Sequence, residues 1–289
     1  SIPPADLIIC ESTYGGRNHP GTELLAGDLG VAVNRTIQRG GRVFTPAFSL
    51  GGTHTIISFL HRLIDSGQLK PLPIYVDSPL AAAATEVFRL HPGCFDEETS
   101  QLLYKVDDMF GERIVRFTRH VEESKALNQN KQPCVIIAAS GMCESGRILH
   151  HLKNNLEEAR NTVLIIGYQA PETLGRRLVE KRPTVRLLGT ERKVNAEIVL
   201  MNGFSGHAGR EDLLEMLTPL ADPKRKVRLV HGEPEQAEAL LATLKERGFV
   251  EVEYPEVALE EGTQGYEMGL GPLGQCGQAT LGALAAHYL

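Results

Sequence analysis

The stretch Asn202–Leu214, NGFSGHAGREDLL, sets a single histidine, His207, among small residues directly before a helix-like pattern. Val227–Leu241, VRLVHGEPEQAEALL, repeats the design: an apolar run ends at His231 and Gly232, and a helical pattern follows. Strand, polar junction, helix is the repeating unit of the chain. Val- and Ile-rich strand candidates lie at residues 7–10, 43–46, 74–77, 135–138, 163–167, 185–188, 198–201 and 227–231. Helical spacing is clearest over 55–64, 148–156, 211–217 and 235–247. The last of these keeps Ala237, Leu240, Leu241 and Leu244 on one face and stops at Gly248, a good helix terminator. Alternation of this kind predicts an α/β architecture with mostly parallel strands.

Ligands gather at the carboxyl ends of strands in such sheets, so the residues just after each apolar run carry the information. In order they read CESTYGG, TPAFSLGG, VDSPLA, AASGMCESGR and IGYQAPETLGRR, followed by the two histidine stretches. Nearly every strand ends in Ser, Thr, Gly, Asp, Glu or His, which is how a polar groove is built on a rigid sheet.

Bulk properties limit what the groove can hold. The chain has 289 residues, 42% of them hydrophobic and 23% charged, the composition of a globular protein with room for a sizeable core. No apolar run approaches the ~20 residues needed to cross a bilayer. No signal-peptide pattern opens the chain, so a cytoplasmic location is the expectation. The five cysteines, Cys10, Cys94, Cys134, Cys143 and Cys276, are odd in number and lack a C-x-x-C pair, which predicts reduced, mostly buried thiols. With a net charge of −6 the molecule as a whole is not a basic nucleic-acid binder, and any such contact must use local patches. The opening Ser-Ile-Pro-Pro, without an initiator Met and running straight into DLIICE, reads as a piece of a longer protein.

The ordered set ESTYGG, VDSPLA, SGMCESGRILHHL, GYQAPETLGRRL, FSGHAG and VHGE resembles the metallo-β-lactamase-fold nucleases of the β-CASP group. The likeness is strongest to bacterial and archaeal relatives of the endonuclease subunit of the mRNA cleavage and polyadenylation machinery. It covers roughly residues 6–254, and several motifs in order are far more specific than any one alone.

The resemblance implies the C-terminal part of a metallo-β-lactamase fold with an inserted β-CASP domain, a parallel sheet flanked by helices. Residues 1–16 and 189–254 would belong to the catalytic fold, 17–188 to the β-CASP domain, and 255–289 remain unassigned. RNA would then lie in a cleft between the domains. Its implied function is zinc-dependent hydrolysis of RNA phosphodiester bonds with two zinc ions in the intact enzyme. Glu11 corresponds to the acidic motif A, His207 to the motif B histidine hydrogen-bonded to that acid, and His231 to the motif C zinc ligand. These residue types suit the chemistry: a neutral imidazole nitrogen coordinates zinc, and an imidazole paired with a carboxylate donates to a leaving oxygen. DNA-cutting relatives tend to lack a histidine at motif C, so His231 points to RNA; the expected partner is single-stranded RNA. The family organisation leaves room for a homodimer.

Two departures stand out. The family's His-x-His-x-Asp-His cluster, a further ligand histidine and a bridging aspartate precede motif A, and none of them occurs in this sequence. Of its ten histidines only His150 and His151 are neighbours, and adjacent helical residues diverge by about 100°. A two-zinc centre cannot be assembled from these residues, and the chain alone is expected to be inactive. In FSLGGTHTII, relatives carry an Arg, Gln and Glu set where this chain has Gly52, His54 and Thr55.

Plainer readings stand beside these. A single histidine after a strand is more often a hydrogen-bonded structural residue than a ligand, and Glu11 alone reads as a turn cap; the motif order reverses both. SGMCESGR is either an ordinary helix N-terminus with Ser140 or Ser145 as cap, or a phosphate site built on its N–H groups. The second reading would make Ser140, Gly141, Met142 and Arg147 contacts to RNA. The basic run at 176–193, beginning with Arg176 and Arg177, is either solvated surface or the patch a net-acidic RNA enzyme needs. KRK at 224–226 reads as a loop. GLGPLG at 269–274 fits G-x-G-x-x-G literally but has no preceding strand and carries Pro272, so it is no dinucleotide site. Rival functions are a catalytically inactive RNA-binding or scaffolding subunit, and a DNA-processing hydrolase of the same fold.

Overall fold

The computed structural model describes residues 5–94 and 114–255. The tail from residue 256, with GLGPLG and Cys276, lies outside the described residues. The chain forms two compact units, one made of residues up to His19 and from His207 onward, the other of Pro20–Gly206.

In the first unit, β1 (Leu7–Glu11), β10 (Lys226–Val230) and β11 (Glu251–Glu253) form a parallel sheet in the order β1-β10-β11. Alternation along these strands sends Cys10, Val227, Leu229 and Val252 to one face. They pack there on Leu213, Leu214 and Leu217 of the helix Arg210–Leu217 and on Leu240 and Leu244 of the helix Pro234–Glu246. The second helix starts with Pro at its first position, where a missing N–H costs nothing. It ends as its sequence predicts: Gly248 has φ 102°, and the Phe249 N–H turns back to the Leu244 carbonyl at 3.2 Å.

The second unit is built on a six-stranded sheet in the order β4-β3-β5-β2-β6-β9, with every pairing parallel. Its strands are β2 (Val43–Pro46), β3 (Ile74–Asp77), β4 (Val115–Phe117), β5 (Val135–Ala138), β6 (Thr162–Ile165) and β9 (Glu197–Leu200). The central strands are apolar at consecutive positions because helices cover both faces. Helices α1 (Thr22–Gln38) and α2 (Gly52–Asp65) bring Leu29, Val33, Ile56 and Leu60 against Val43, Ile74 and Val135. On the opposite face, the helices Arg147–Asn155 and Leu174–Val179 bring Ile148, Leu152 and Leu178 against Phe44, Ile136 and Val163. A hairpin of β7 (Thr184–Leu187) and β8 (Thr190–Lys193) turns through Leu188 and Gly189, both at positive φ as a tight two-residue loop requires.

The chain re-enters the first unit at His207, later than the residue 189 expected from the sequence. The reason is β9, which pairs with β6 and so holds its stretch in the six-stranded sheet. Cys10, Cys134 and Cys143 are buried free thiols, and Cys94 is free and exposed. Burial pushes the Cys10 and Cys134 thiols up to about 12, which makes both chemically quiet. Among the described residues no helix is long and apolar enough to cross a membrane.

Candidate active site

Register builds the site. Pairing of β1 with β10 aligns Glu11 with Val230, so the carboxylate at the end of one strand meets His231, one residue past the end of the other. His207 arrives from the turn before the helix Arg210–Leu217. Its Nδ1 lies 2.6 Å from Glu11 Oε2, and the Ala208 N–H donates to Glu11 Oε1 at 3.1 Å. The family resemblance implies contact between Glu11 and His207 across almost two hundred residues, and the two lie 2.6 Å apart. The Glu11 and His207 side chains keep 26% and 31% of their surfaces exposed, although the Glu11 Oε2 atom that meets His207 is itself buried. The rings of His207 and His231 stand 4.8 Å apart between centroids.

Electrostatics follow from these contacts. Burial alone would raise the Glu11 carboxyl, but the His207 ring and the Ala208 N–H beside it outweigh this and hold the group below the usual carboxylate range. Burial and the neighbouring His207 lower His231, which keeps its imidazole neutral and able to coordinate a metal.

His231 adopts a left-handed backbone, φ 51°, uncommon for a residue with a side chain and of the kind that gathers at functional sites. The next residue has to be glycine for another reason. A Cβ on Gly232 would stand 2.4 Å from Ser12 Oγ and 2.6 Å from Ser12 O, so the β10 turn presses directly on the chain leaving β1. Gly232→Ala is expected to destabilise the unit by about 1–3 kcal/mol, as overpacking of a tight contact does. Urea denaturation measures the loss, and an unchanged midpoint would mean the contact yields freely.

Three supporting residues were not singled out in the sequence. Thr13 Oγ contacts both Nδ1 and the carbonyl of His231, at 3.0 Å and 2.7 Å. Asn18 Oδ1 accepts from the Glu211 N–H at 2.8 Å, in the first turn of the helix that carries His207 to the site. His19 Nε2 donates to the His207 carbonyl at 2.8 Å, with its ring edge-on to Tyr14. The only signal for them is their crowding into STYGGRNH right after Glu11.

The remaining candidates, Ser140, Gly141, Met142, Arg147, Arg176 and Arg177, belong to the other unit. Ser140 Oγ accepts from the N–H groups of Glu144 and Ser145 at 3.1 Å and 3.2 Å. That turn, ahead of the helix Arg147–Asn155, is closed by the protein itself, while the helix starts at Gly146 without a side-chain cap, so neither Ser140 nor Ser145 caps it. Arg147 pairs with Asp77 at 2.6 Å and donates to the carbonyls of Thr118 and Arg119 at 3.2 Å and 3.0 Å. Gly141 and Met142 offer carbonyls to Gln169 and Gly175, both at 3.1 Å. Arg176 pairs with Glu180 at 3.0 Å on the surface, and Arg177 Nε donates to the Thr173 carbonyl at 3.3 Å. Within α2, His54 bonds Thr85 at 2.9 Å and sits edge-on to Phe88, and burial lowers it to about 4, so it packs as a neutral ring.

Glu11, His207 and His231 are the group that, among the described residues, could hold a metal ion, with one donor atom from each within 4.8 Å of the others. Two of those donors already bond each other, which leaves His231 as the ready ligand. The donor set fits zinc in kind and falls short in number, since stable sites take three or four protein ligands.

A carboxylate-imidazole pair thus stands beside a second imidazole at parallel strand ends. Residues 53–178 match the family described as Beta-Casp domain, and residues 191–255 match the Zn-dependent metallo-hydrolase RNA specificity domain. The chain belongs to the β-CASP group of the metallo-β-lactamase fold. It is 38% identical over 250 residues to a protein named Ribonuclease TTHA0252 of Thermus thermophilus, covering 86% of this chain and 56% of that one. It is 31% identical to an RNase J-like protein of Methanocaldococcus jannaschii, with 87% of this chain and 58% of that one covered. It is also 31% identical to the transcription termination factor FttA of Methanosarcina mazei, with 80% and 38% covered. The chain thus spans about half the length of the curated relatives it matches.

Proposed function

We propose that this chain is part of a zinc-dependent ribonuclease that hydrolyses phosphodiester bonds of single-stranded RNA. The observation that carries the proposal is the Glu11–His207 contact of 2.6 Å beside His231, inside a chain that matches an RNA specificity domain and relatives named as ribonucleases. His231 would hold one of two zinc ions, with the other ligands on the part of the relatives that this chain does not span. Zinc bound there supplies a polarised phosphoryl oxygen and an activated water. The residues of this chain handle the proton. Glu11 takes the Nδ1–H of His207 and orients the ring, and His207 donates from its other nitrogen to the leaving oxygen.

The test is cleavage of matched RNA and DNA oligonucleotides by the protein joined to a natural His-x-His-x-Asp-His region. Chelator-sensitive cleavage of RNA alone supports the proposal. Equal cleavage of both would favour a DNA-processing hydrolase, and RNA binding without cleavage a scaffolding subunit. These 289 residues on their own are expected to hold zinc weakly. Stoichiometric zinc retained through dialysis against a chelator would reveal a ligand set other than this one.

A further inference from the structure

The Thr13 hydroxyl stands between two groups of His231. Its oxygen lies 2.7 Å from the His231 carbonyl oxygen and 3.0 Å from the ring Nδ1. A hydroxyl has one proton to give and lone pairs to receive another. Two oxygens at 2.7 Å need a proton between them, and the carbonyl has none to offer. With the Thr13 proton given to that carbonyl, none remains for Nδ1. The 3.0 Å contact is a hydrogen bond only if Nδ1 itself carries the hydrogen.

We propose that Thr13 is a positioning residue that fixes neutral His231 as its Nδ1–H tautomer, leaving Nε2 as the bare nitrogen. In water a neutral imidazole favours the opposite tautomer, with hydrogen on Nε2, so a ligand that must coordinate through Nε2 gains from a partner that reverses the choice. The tautomer of a ligating histidine is set by the hydrogen bond its other nitrogen makes. The backbone explains how one side chain does both jobs. The left-handed turn at His231 brings its own carbonyl round to the hydroxyl that meets its ring, and Gly232, lacking a Cβ, lets the chain at Ser12 and Thr13 come close enough. This deepens the reading of His231 as a zinc-facing residue and rests on it for its purpose, but the tautomer itself is read without metal.

The experiment is long-range proton–nitrogen NMR on the metal-free 289-residue chain with labelled histidine, above the pH at which imidazoles protonate. His231→Gln identifies the resonances. The expected wild-type pattern has the hydrogen on Nδ1 and a bare Nε2. Thr13→Ser should keep that pattern, because it keeps the hydroxyl. Thr13→Val, which keeps the shape and removes the hydroxyl, should shift the two nitrogen resonances towards each other as the Nε2–H form appears. A wild-type spectrum with the hydrogen on Nε2 would overturn the proposal, and that measurement needs no variant to fold. So would a folded Thr13→Val chain whose His231 pattern matches wild type. Because no zinc enters the measurement, failure of the zinc reading and failure of the tautomer assignment are told apart.

Discussion

Replacing Asp77 with alanine is expected to remove about 3–5 kcal/mol from the stability of the second unit, the cost of leaving buried charge without its counterpart. Asp77 ends β3 with no exposed surface. Its carboxylate accepts from Ser124 Oγ at 2.5 Å, from Arg147 at 2.6 Å and from the buried His151 Nε2 at 2.6 Å, and also from Thr118. Four elements converge on it: the strand itself, the loop after β4, the helix Val121–Gln129 and the helix Arg147–Asn155. Alanine would leave an arginine and a histidine facing each other with hydroxyls that have lost their acceptor. Asp77→Asn keeps the shape and part of the hydrogen bonding, so it should cost less. Urea denaturation of the chain measures both, and a loss under about 1 kcal/mol for the alanine variant would show that solvent or rearrangement replaces the carboxylate.

The same cluster fixes the response to acid. Burial would raise the Asp77 carboxyl, but hydrogen bonds from His151, Ser124 and Thr118 prevail and hold it far below the usual carboxylate range. Because the folded form binds its proton less readily than the unfolded chain, the stabilisation is fully present above the unfolded value, about 3.9 for an aspartate, and is lost as pH falls below it. Glu11 is displaced in the same direction. The chain should therefore lose stability steeply below about pH 4, and Asp77→Asn should flatten that slope; parallel acid profiles would exclude Asp77 as the cause.

Strands were legible wherever apolar runs were short and bounded by polar residues. Val43–Pro46, Ile74–Asp77 and Val135–Ala138 fall where the pattern places them, since a strand covered on both faces needs apolar residues at every position. The helix Thr22–Gln38 escaped notice because Gly27, Gly30, Val31 and Val33 blur its propensity, and it forms by packing Leu25, Leu29 and Val33 on the sheet. β8, Thr-Glu-Arg-Lys, has no apolar signal and exists as the partner of β7. The site divides the same way. Glu11, His207 and His231 stand at strand ends and helix starts, but singly they read as structural residues, and only the order of the motifs marks them as a site. Asp77 was visible as part of VDSPLA, but its partners lie 41 to 74 residues away, and no local pattern marks them. Nor does any local pattern show that Arg147, which the phosphate reading of SGMCESGR makes an RNA contact, pairs with Asp77.

In the protein joined to its natural zinc-ligand region, His207→Ala and His231→Ala should both abolish most RNA cleavage and should fail differently. His207 bonds Glu11 through Nδ1 at 2.6 Å and has a second nitrogen for proton transfer, so its loss leaves the metal bound and slows the chemical step. General acid-base assistance is worth ~10²- to 10⁴-fold, and the residual rate should not respond to added zinc. As a zinc ligand His231 would contribute a coordinating nitrogen, so its loss should lower metal affinity, and excess zinc should recover part of the rate. Glu11→Gln should resemble His207→Ala more than His231→Ala, because it removes the charge that orients the His207 ring while sparing the ligand. RNA binding should survive all three changes and weaken steeply with salt, since phosphate contacts, not this cluster, would carry affinity. Metal content, cleavage rate with and without zinc, and RNA affinity measured on the same preparations separate these outcomes. Near wild-type cleavage by His207→Ala would end its assignment as proton donor. Loss of RNA binding in both histidine variants would mean that the cluster holds the fold of the first unit together, so that its geometry is structural in origin.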